Sequence, residues 1–410
     1  MSTDVDVAIV GGGPSGAATA HYLASRGRSV LVCEKKTFPR EKTCGDGLTP
    51  RAIKLLRAMG LGEEIEGWER VHGLRVHGGG RTLELPFPEL DGYCNYGLVR
   101  PRRDLDRLVL SNAEAAGAKV LFDTEVKAPV FTDGVCAGFV ASRDGLREEV
   151  SARWVVSGEG AATRFTRALG RTRNPSYPMG LAIRQYFESP LEHSGWFDAY
   201  LDARSGDDTL PGYGWVFPIG DGKVNAGVGL LSTFGGWRSV NLHALQDAFI
   251  AGLPRSWGVS AETVCSKPRA GRLFMGASVW PPHGPGFLLV GDAAGMINPC
   301  NGEGIAYAYE TGYIAGRHID AALDAGDSPS LHGYTQELVD TYGSYYRLAR
   351  RFVRLIGQPG LMEKLVAMGM RSKSVMSFAF TMLGNLDDHS AGGVQQRGFK
   401  LLKRLAEIKP

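Results

Sequence analysis

Val5-Asp6-Val7-Ala8-Ile9-Val10-Gly11-Gly12-Gly13-Pro14-Ser15-Gly16 is the stretch on which the fold turns. Its first six residues read as a buried strand. The spacing that follows predicts a helix from Pro14 through Arg26, then a second strand, Ser29–Cys33, ending on Glu34. Gly11 permits the tight turn, Gly13 lets the backbone approach a pyrophosphate, and Gly16 lets helix and strand pack closely. The free amides of the helix start would face a diphosphate, aided by the helix dipole. Glu34, about 20 residues on, is placed to accept hydrogen bonds from an adenosine ribose 2′-hydroxyl. A bare Gly-x-Gly-x-x-Gly says little in a chain of 56 glycines. Strand, helix, strand and acid in that order say a dinucleotide site.

The 410 residues suffice for a large core and predict two domains. Net charge is only +3, which excludes a general nucleic-acid binder. The six cysteines, Cys33, Cys44, Cys94, Cys136, Cys265 and Cys300, show no C-x-x-C spacing, and the chain opens on a polar stretch and a core strand. These features predict reduced thiols, no signal peptide and a cytoplasmic protein. No apolar run approaches the ~20 residues a membrane-spanning helix needs. The histidines, including His72, His77 and His283, lack metal-ligand spacing, so no metal is expected.

Farther along, Leu74–His77 and Arg81–Leu85 read as a hairpin around Gly78-Gly79-Gly80. A helix over Asp104–Ala116 precedes strands at Lys119–Phe122, Val135–Ser142 and Arg153–Val156. Residues 177–265 alternate like a separate sheet, including Val224–Leu231. A strand, Phe287–Val290, runs into Gly291-Asp292, and beyond about Asp327 the pattern is helical. The expected class is mixed α/β: a Rossmann-like domain, an inserted antiparallel sheet and a helical C-terminal region. The boundaries expected are 1–73, 98–176 and 266–330 for the cofactor domain, 74–97 and 177–265 for the substrate sheet, and 331–410 for the helices.

The companion motif is Leu288-Leu289-Val290-Gly291-Asp292-Ala293-Ala294-Gly295, read as a strand ending in Gly-Asp with small residues opening a helix. Alone, Asp292 reads as a helix N-cap. With residues 5–34 it resembles the flavoprotein hydroxylase and reductase superfamily, whose aspartate binds an FAD ribityl hydroxyl. Within it, Phe38-Pro39-Arg40-Glu41-Lys42-Thr43-Cys44-Gly45-Asp46-Gly47-Leu48-Thr49-Pro50-Arg51-Ala52 resembles a loop of the geranylgeranyl reductases. Leu210-Pro211-Gly212-Tyr213-Gly214-Trp215-Val216-Phe217-Pro218 resembles their Y-x-W-x-F-P motif, and Asn298-Pro299, Gly302–Ile305 and Met382–Leu386 also fit. The chain looks most like the actinobacterial menaquinone reductases, which saturate one isoprene unit of the quinone tail. The resemblance implies FAD and a cofactor-binding set of Gly11, Gly13, Pro14, Ser15, Gly16, Glu34, Lys35, Cys44, Gly45, Asp46, Gly47, Arg102, Val126, Gly291, Asp292, Gly302, Glu303, Gly304 and Ile305. In this set Gly302–Ile305 lay amides against the isoalloxazine ring, Arg102 precedes a helix that contacts FAD, and Val126 meets the adenine through its backbone. One departure stands out: relatives carry Asp-Gly where this chain has Glu159-Gly160.

An isolated prenyl double bond has no group to accept electrons, so a hydride alone would leave an unstabilised carbanion. Protonation must precede or accompany hydride transfer from the flavin. Such a site needs an apolar slot, an acid and electron-rich faces near the developing cation, each face contributing ~0.5–2 kcal/mol. Strand alternation would point Tyr213, Trp215 and Phe217 to one face, as an ordinary packed stripe or as a substrate lining. Tyr213, Trp215 and Cys44 are the candidate catalytic residues, and Tyr213, Trp215 and Phe217 the candidate substrate contacts. Cys44 reads equally as a proton donor, a substrate contact or a buried cysteine, and Asp46 as a cap of the following turn. The electron donor is expected to be NAD(P)H or another reductant, since no second strand–glycine–helix motif exists.

In the C-terminal region Arg347, Arg350, Arg351 and Arg354, and later Arg397, Lys400, Lys403 and Arg404, flank a stretch with Met362, Met368, Met370, Met376, Met382, Phe378 and Phe380. Methionines adapt to irregular apolar ligands and would wall a tunnel for a polyprenyl lipid. Basic faces beside apolar helices suit an anionic membrane surface, so peripheral association with the inner face of the plasma membrane is expected. A solvated basic face is the plain alternative. Two other readings share the scaffold: an aromatic monooxygenase, or a non-catalytic isoprenoid-binding protein. A halogenase-type W-x-W-x-I-P segment is absent from the sequence.

Overall fold

Val7, Ala8, Ile9 and Val10 are buried on both faces, as an unbroken apolar run in a parallel sheet requires. In the computed structural model, which describes residues 3–205, 208–326, 331–358 and 360–386, their strand Thr3–Val10 lies at the centre of the first sheet. It pairs in parallel with Val30–Cys33 on one side and with the end of Leu146–Ser157 on the other. Lys119–Leu121 extends the first side, and Phe287–Leu289 with His283–Gly284 extends the second. Leu146–Ser157 is longer than the expected Arg153–Val156. Its first half leaves the parallel core and builds an antiparallel meander with Val135–Arg143 and Glu125–Thr132.

Helix Pro14–Ala24 packs under helix Ile305–Ala325, and small residues set their separation. A methyl group on Gly312 would sit 2.6 Å from the Ser15 carbonyl oxygen, and one on Gly316 would sit 2.7 Å from the Tyr22 ring. Ser15 and Gly291 meet from the two ends of the chain, the Ser15 hydroxyl 2.9 Å from the Cβ position of Gly291. The small residues after Asp292 do not open a helix as expected. Gly291–Ala294 is a single 3-10 turn closed by Gly295 at φ +69°, and the helix starts only at Ile305.

The second sheet has seven strands in the order Arg269–Phe274, Met179–Glu188, Lys223–Leu231, Gly212–Gly220, Phe197–Tyr200, Gly73–Gly78 and Arg81–Pro86. Only the Phe197–Tyr200 and Gly73–Gly78 pair is parallel. Arg269–Phe274, expected with the cofactor domain, is an edge strand of this sheet. Gly97–Val99 joins Gly47–Leu48 and Glu69–Val71 in a small sheet between the two large ones. Helices from His332 to Leu383 complete the fold, and Met362, Val366, Met370, Met376 and Phe380 pack against the hairpin of residues 73–86. The fold is thus mixed α/β, with a Rossmann-like unit, further sheets and a helical C-terminal region.

Candidate cofactor and substrate site

The nucleotide end is built by close backbone approach. A Cβ on Gly16 would lie 2.0 Å from the Gly11 carbonyl oxygen, and one on Gly11 (φ +94°) would lie 2.7 Å from that of Gly158. No side chain fits at either place. Gly13 is the N-cap of helix Pro14–Ala24, with only Arg40 Nη2 at 3.5 Å from its Cβ position. Glu34 is buried, and its carboxylate accepts from the amides of Gly12 at 2.9 Å and Lys36 at 3.0 Å. Its carbonyl accepts from Thr124 at 3.0 Å, which brings Val126 to the same end. Lys35 is exposed and lies near Glu125 instead.

Three cations converge in the crevice. Arg40 approaches Asp106 at 3.1 Å and Glu34 at 3.8 Å, and the buried Arg102 pairs with Asp106 through two bonds of 2.6 and 2.8 Å. Lys42 is near Asp292 and has its pKa lowered, chiefly by burial. Asp292 is raised by burial, against the pull of Lys42 and Arg102. It sits beside the start of the long helix, its Oδ1 at 3.5 Å from the Cβ position of Gly304. The Tyr309 hydroxyl, on that helix, is buried without a partner among the described residues and lies near Asp106, Arg102 and Cys44. These glycine cradles, the convergent cations and the orphaned hydroxyl fit a diphosphate-bearing cofactor. Gly11, Gly13, Ser15, Gly16, Glu34, Arg102 and Asp292 are the residues that would hold it.

Asp46 (φ +65°) fastens the loop at residues 44–47 to everything around it. Its Oδ2 accepts from the Tyr186 hydroxyl at 2.6 Å and Asn225 Nδ2 at 2.7 Å, and its Oδ1 from the Arg102 amide at 3.1 Å. Burial raises it to about 6, against the nearby Arg184 and these donors. Arg184 is wholly buried, stacks 4.1 Å over Tyr186 and donates to Glu41 (2.7 Å) and the Lys42 carbonyl (2.9 Å). Asp46 caps no turn following it. It braces loop, sheet and the start of helix Arg102–Ala115.

Over this loop lies one face of the second sheet. Tyr213, Trp215 and Phe217 stand in a row, with ring centroids 6.1 and 6.4 Å apart. The Trp215 indole donates to Asn225 Oδ1 at 3.0 Å and lies across Gly227. Gly45 faces the row, its Cβ position 3.0 Å from Phe217 and 3.4 Å from the Trp215 nitrogen. At one end the Tyr213 hydroxyl donates to the Asn301 carbonyl at 2.6 Å. At the other the row continues through Phe197 (4.6 Å from Phe217) and Phe87 (6.3 Å) to Phe380 (5.4 Å) on helix Lys373–Leu383. Six aromatic rings therefore lead from the Gly302 loop to the C-terminal helices. Burial pushes the Cys44 thiol up and Tyr213 up to about 12, so both are protonated at neutral pH.

Glu303 occupies the loop that opens the long helix. Its Oε1 accepts from the Thr49 hydroxyl, its Oε2 is buried with no partner among the described residues, and burial raises it to about 7. Sequence reasoning placed only this loop's backbone at the site and overlooked the carboxyl. It also missed Lys42, Thr49, Arg184, Tyr186, Asn225 and Tyr309. Arg184 alone gave a signal, as a charge inside the apolar strand Met179–Glu188. The departure at Glu159 has a structural role: its carboxylate accepts from the amides of Arg164 (3.0 Å), Phe165 (3.2 Å) and Thr166 (2.6 Å), capping helix Arg164–Ala168.

The methionine stretch divides. Met370 and Met382 are buried, whereas Met368 is 64% exposed and walls nothing. Arg350 and Arg354 are also not free: they donate to the carbonyls of Gly276 (2.7 Å) and Ser176 (3.0 Å). Arg397, Lys400, Lys403 and Arg404 lie outside the described residues. Among the described residues no acid, histidine or cysteine cluster could hold a metal, and no helix is long and apolar enough to cross a membrane.

Residues 4–222 match the family described as FAD binding domain. The chain is 36% identical to a menaquinone reductase of Mycobacterium tuberculosis, over 100% of this chain and 99% of that protein. A geranylgeranyl bacteriochlorophyll reductase-like protein from Thermoplasma acidophilum superposes with a TM-score of 0.81 at 22% identity, covering 98% of this chain and 100% of its own. A flavin-dependent brominase shares the fold at a TM-score of 0.75 and 18% identity, over 99% and 100% of the two chains.

Proposed function

Because the chain belongs to the FAD binding domain family, and within it to the group of the menaquinone and geranylgeranyl reductases, we propose that it reduces a carbon–carbon double bond in the tail of a polyprenyl lipid. The substrate of first choice is the menaquinone side chain, with a geranylgeranyl group as the other. One observation carries the reading: the aromatic row over the Gly45 loop, prolonged by Phe197, Phe87 and Phe380. A linear, methyl-branched hydrocarbon is the ligand class such a lining suits, because rings contribute both apolar area and attraction for a cationic carbon. A polar aromatic substrate would leave most of that lining unmatched.

Bound and reduced, FAD supplies the hydride. The protein's part is positional. The glycine cradle and Glu34 would hold the nucleotide end, Asp292 and the amides of Gly302–Ile305 the flavin end, and the Asp46 brace keeps Trp215 and Phe217 over the loop. The row excludes water and steadies positive charge on the tertiary carbon. Electrons reach the cofactor from a transiently bound reductant, a reduced nicotinamide or another two-electron donor. Membrane contact belongs to the same reading. Exposed Leu355, Met368 and Val375 are interspersed with exposed Arg351, Lys364, Arg371 and Lys373 on the C-terminal helices, suited to an anionic lipid surface.

The test is anaerobic mixing of reduced enzyme with a lipid bearing a geranylgeranyl chain and no quinone, followed by mass spectrometry. Flavin reoxidation with gain of two hydrogens by the chain is expected. A quinone substrate alone would mislead, since its head group accepts electrons directly. No mass gain in any prenyl chain, with or without a quinone head, would overturn the reading.

A further inference from the structure

The proposed reaction needs an acid, and the aromatic face has four candidates. Tyr213 donates its proton to the Asn301 carbonyl and is pushed up to about 12. The Cys44 thiol is raised from an already high value. Asp46 accepts three hydrogen bonds, which suit a carboxylate and leave no proton to give. Glu303 differs from all three. Its Oε2 is buried and unpartnered among the described residues, one residue from Gly302, whose Cβ position is 3.8 Å from the Tyr213 hydroxyl.

Resting on the isoprenoid-reductase reading, we infer that Glu303 is the acid that protonates the double bond. Every charged or titratable neighbour bears on its state. Thr49 donates to Oε1 from the loop before helix Pro50–Ala58, and the Asn301 side chain, whose Oδ1 accepts from the Glu303 amide at 2.9 Å, also favours the ionised acid. Arg51 is the cation that favours its ionised form, yet Arg51 is taken by Glu310 through two contacts of 3.1 Å and by the Asn385 carbonyl at 2.5 Å. Glu310 and Tyr307 on the long helix, Tyr346 on helix Ser344–Leu355 and Tyr213 on the sheet all sense the same acid. The Arg51 charge is thus answered by Glu310, burial dominates at Glu303, and the acid stays protonated up to about 7.

The step balances. The Glu303 O–H bond breaks and the alkene π pair forms a C–H bond at the less substituted carbon. The tertiary carbon receives hydride from reduced FAD, which ends oxidised by two electrons. Glu303 is left as a carboxylate and regains its proton from water. The aromatic row faces the positive carbon in between.

Glu303→Gln keeps the shape and removes the proton. In single-turnover mixing with the prenyl lipid, the wild-type rate is expected to be flat below about pH 7 and to fall about tenfold per unit above it. Glu303→Gln should be slower by about a hundredfold or more and lose that fall, with FAD content and reduction by dithionite unchanged. Thr49→Val removes a donor that favours the ionised acid, so the fall should move to higher pH. In cofactor-free protein, infrared difference spectra should show a carboxylic acid band that vanishes through about pH 7 and is missing in Glu303→Gln. A wild-type enzyme that never hydrogenates a prenyl chain overturns the underlying reading. An active wild type with a Glu303→Gln rate within threefold of it, or with the same pH profile, overturns the proton assignment alone.

Discussion

Gly227 and Gly229 sit two residues apart on the same face of strand Lys223–Leu231, and the structure sets opposite outcomes for adding one methyl to each. At Gly227 the new carbon would lie 2.4 Å from Trp215 Cζ2, 2.5 Å from the Ile183 carbonyl oxygen and 2.8 Å from Arg184 Cβ. Carbon pairs settle near 3.5–4.0 Å, so the indole must move by about 1 Å, and the other two atoms are backbone-anchored. Overpacking costs about 1–3 kcal/mol. Displacing the indole also strains its bond to Asn225, worth about 1 kcal/mol. The sum for Gly227→Ala is about 2–4 kcal/mol, or a thermal midpoint lowered by about 2–5 °C for a chain of 410 residues. At Gly229 the nearest atoms are at 3.6, 3.7 and 3.7 Å, ordinary contact. There alanine fits and stiffens the unfolded chain, so Gly229→Ala should be neutral or stabilise by up to about 1 kcal/mol. Thermal unfolding followed by tryptophan emission compares the two variants. Equal midpoints would show that Trp215 does not lie across Gly227, and the lining described above would have to be redrawn.

Gly16→Ala should purify without FAD, because its methyl would meet the Gly11 carbonyl oxygen at 2.0 Å. Absorbance near full flavin occupancy in that variant would contradict the cradle geometry. Wild-type protein should float with anionic vesicles at low salt and be released by high salt. Replacing Arg351, Arg371 and Lys373 together should weaken that binding, each charge contributing about 1 kcal/mol. Flotation on neutral vesicles alone would rule out the basic surface as the cause.

What the residues disclosed in advance, and what they withheld, divides by range. The turn at Gly11–Gly16 is made by its own backbone and Gly291-Asp292 closely follows its strand, so local spacing suffices for both. Leu146–Ser157 was recognised only at its end, because Leu146, Arg147, Glu148 and Glu149 are exposed where the strand leaves the core, and no burial pattern marks them. Arg269–Phe274 is mostly solvent-facing edge strand, so its partner could not be inferred from its alternation. The acids themselves were named in advance, but their contacts were hidden for a different reason. Asp46 meets Tyr186 and Asn225 across 140 and 179 residues, and Glu303 meets Thr49 across 254. Such pairs exist only once two sheets have closed on each other, and no spacing rule within one strand or helix reports them.

The ties made by Asp46 bear on how a long lipid gets in and out. One carboxylate holds the loop, two strands and a helix start together, so parting the sheet from the nucleotide-binding half would break two hydrogen bonds to a charged group at once. That rupture costs about 3–6 kcal/mol, leaving a gaping form populated below about one molecule in a hundred. A clamshell motion is therefore a poor port of entry. On the proposed reading the tail threads lengthwise, past Phe380 and Phe87 toward Tyr213, and leaves by the same lane. Travel in single file makes the depth of insertion, rather than recognition of any one isoprene, the quantity that selects which unsaturation is met.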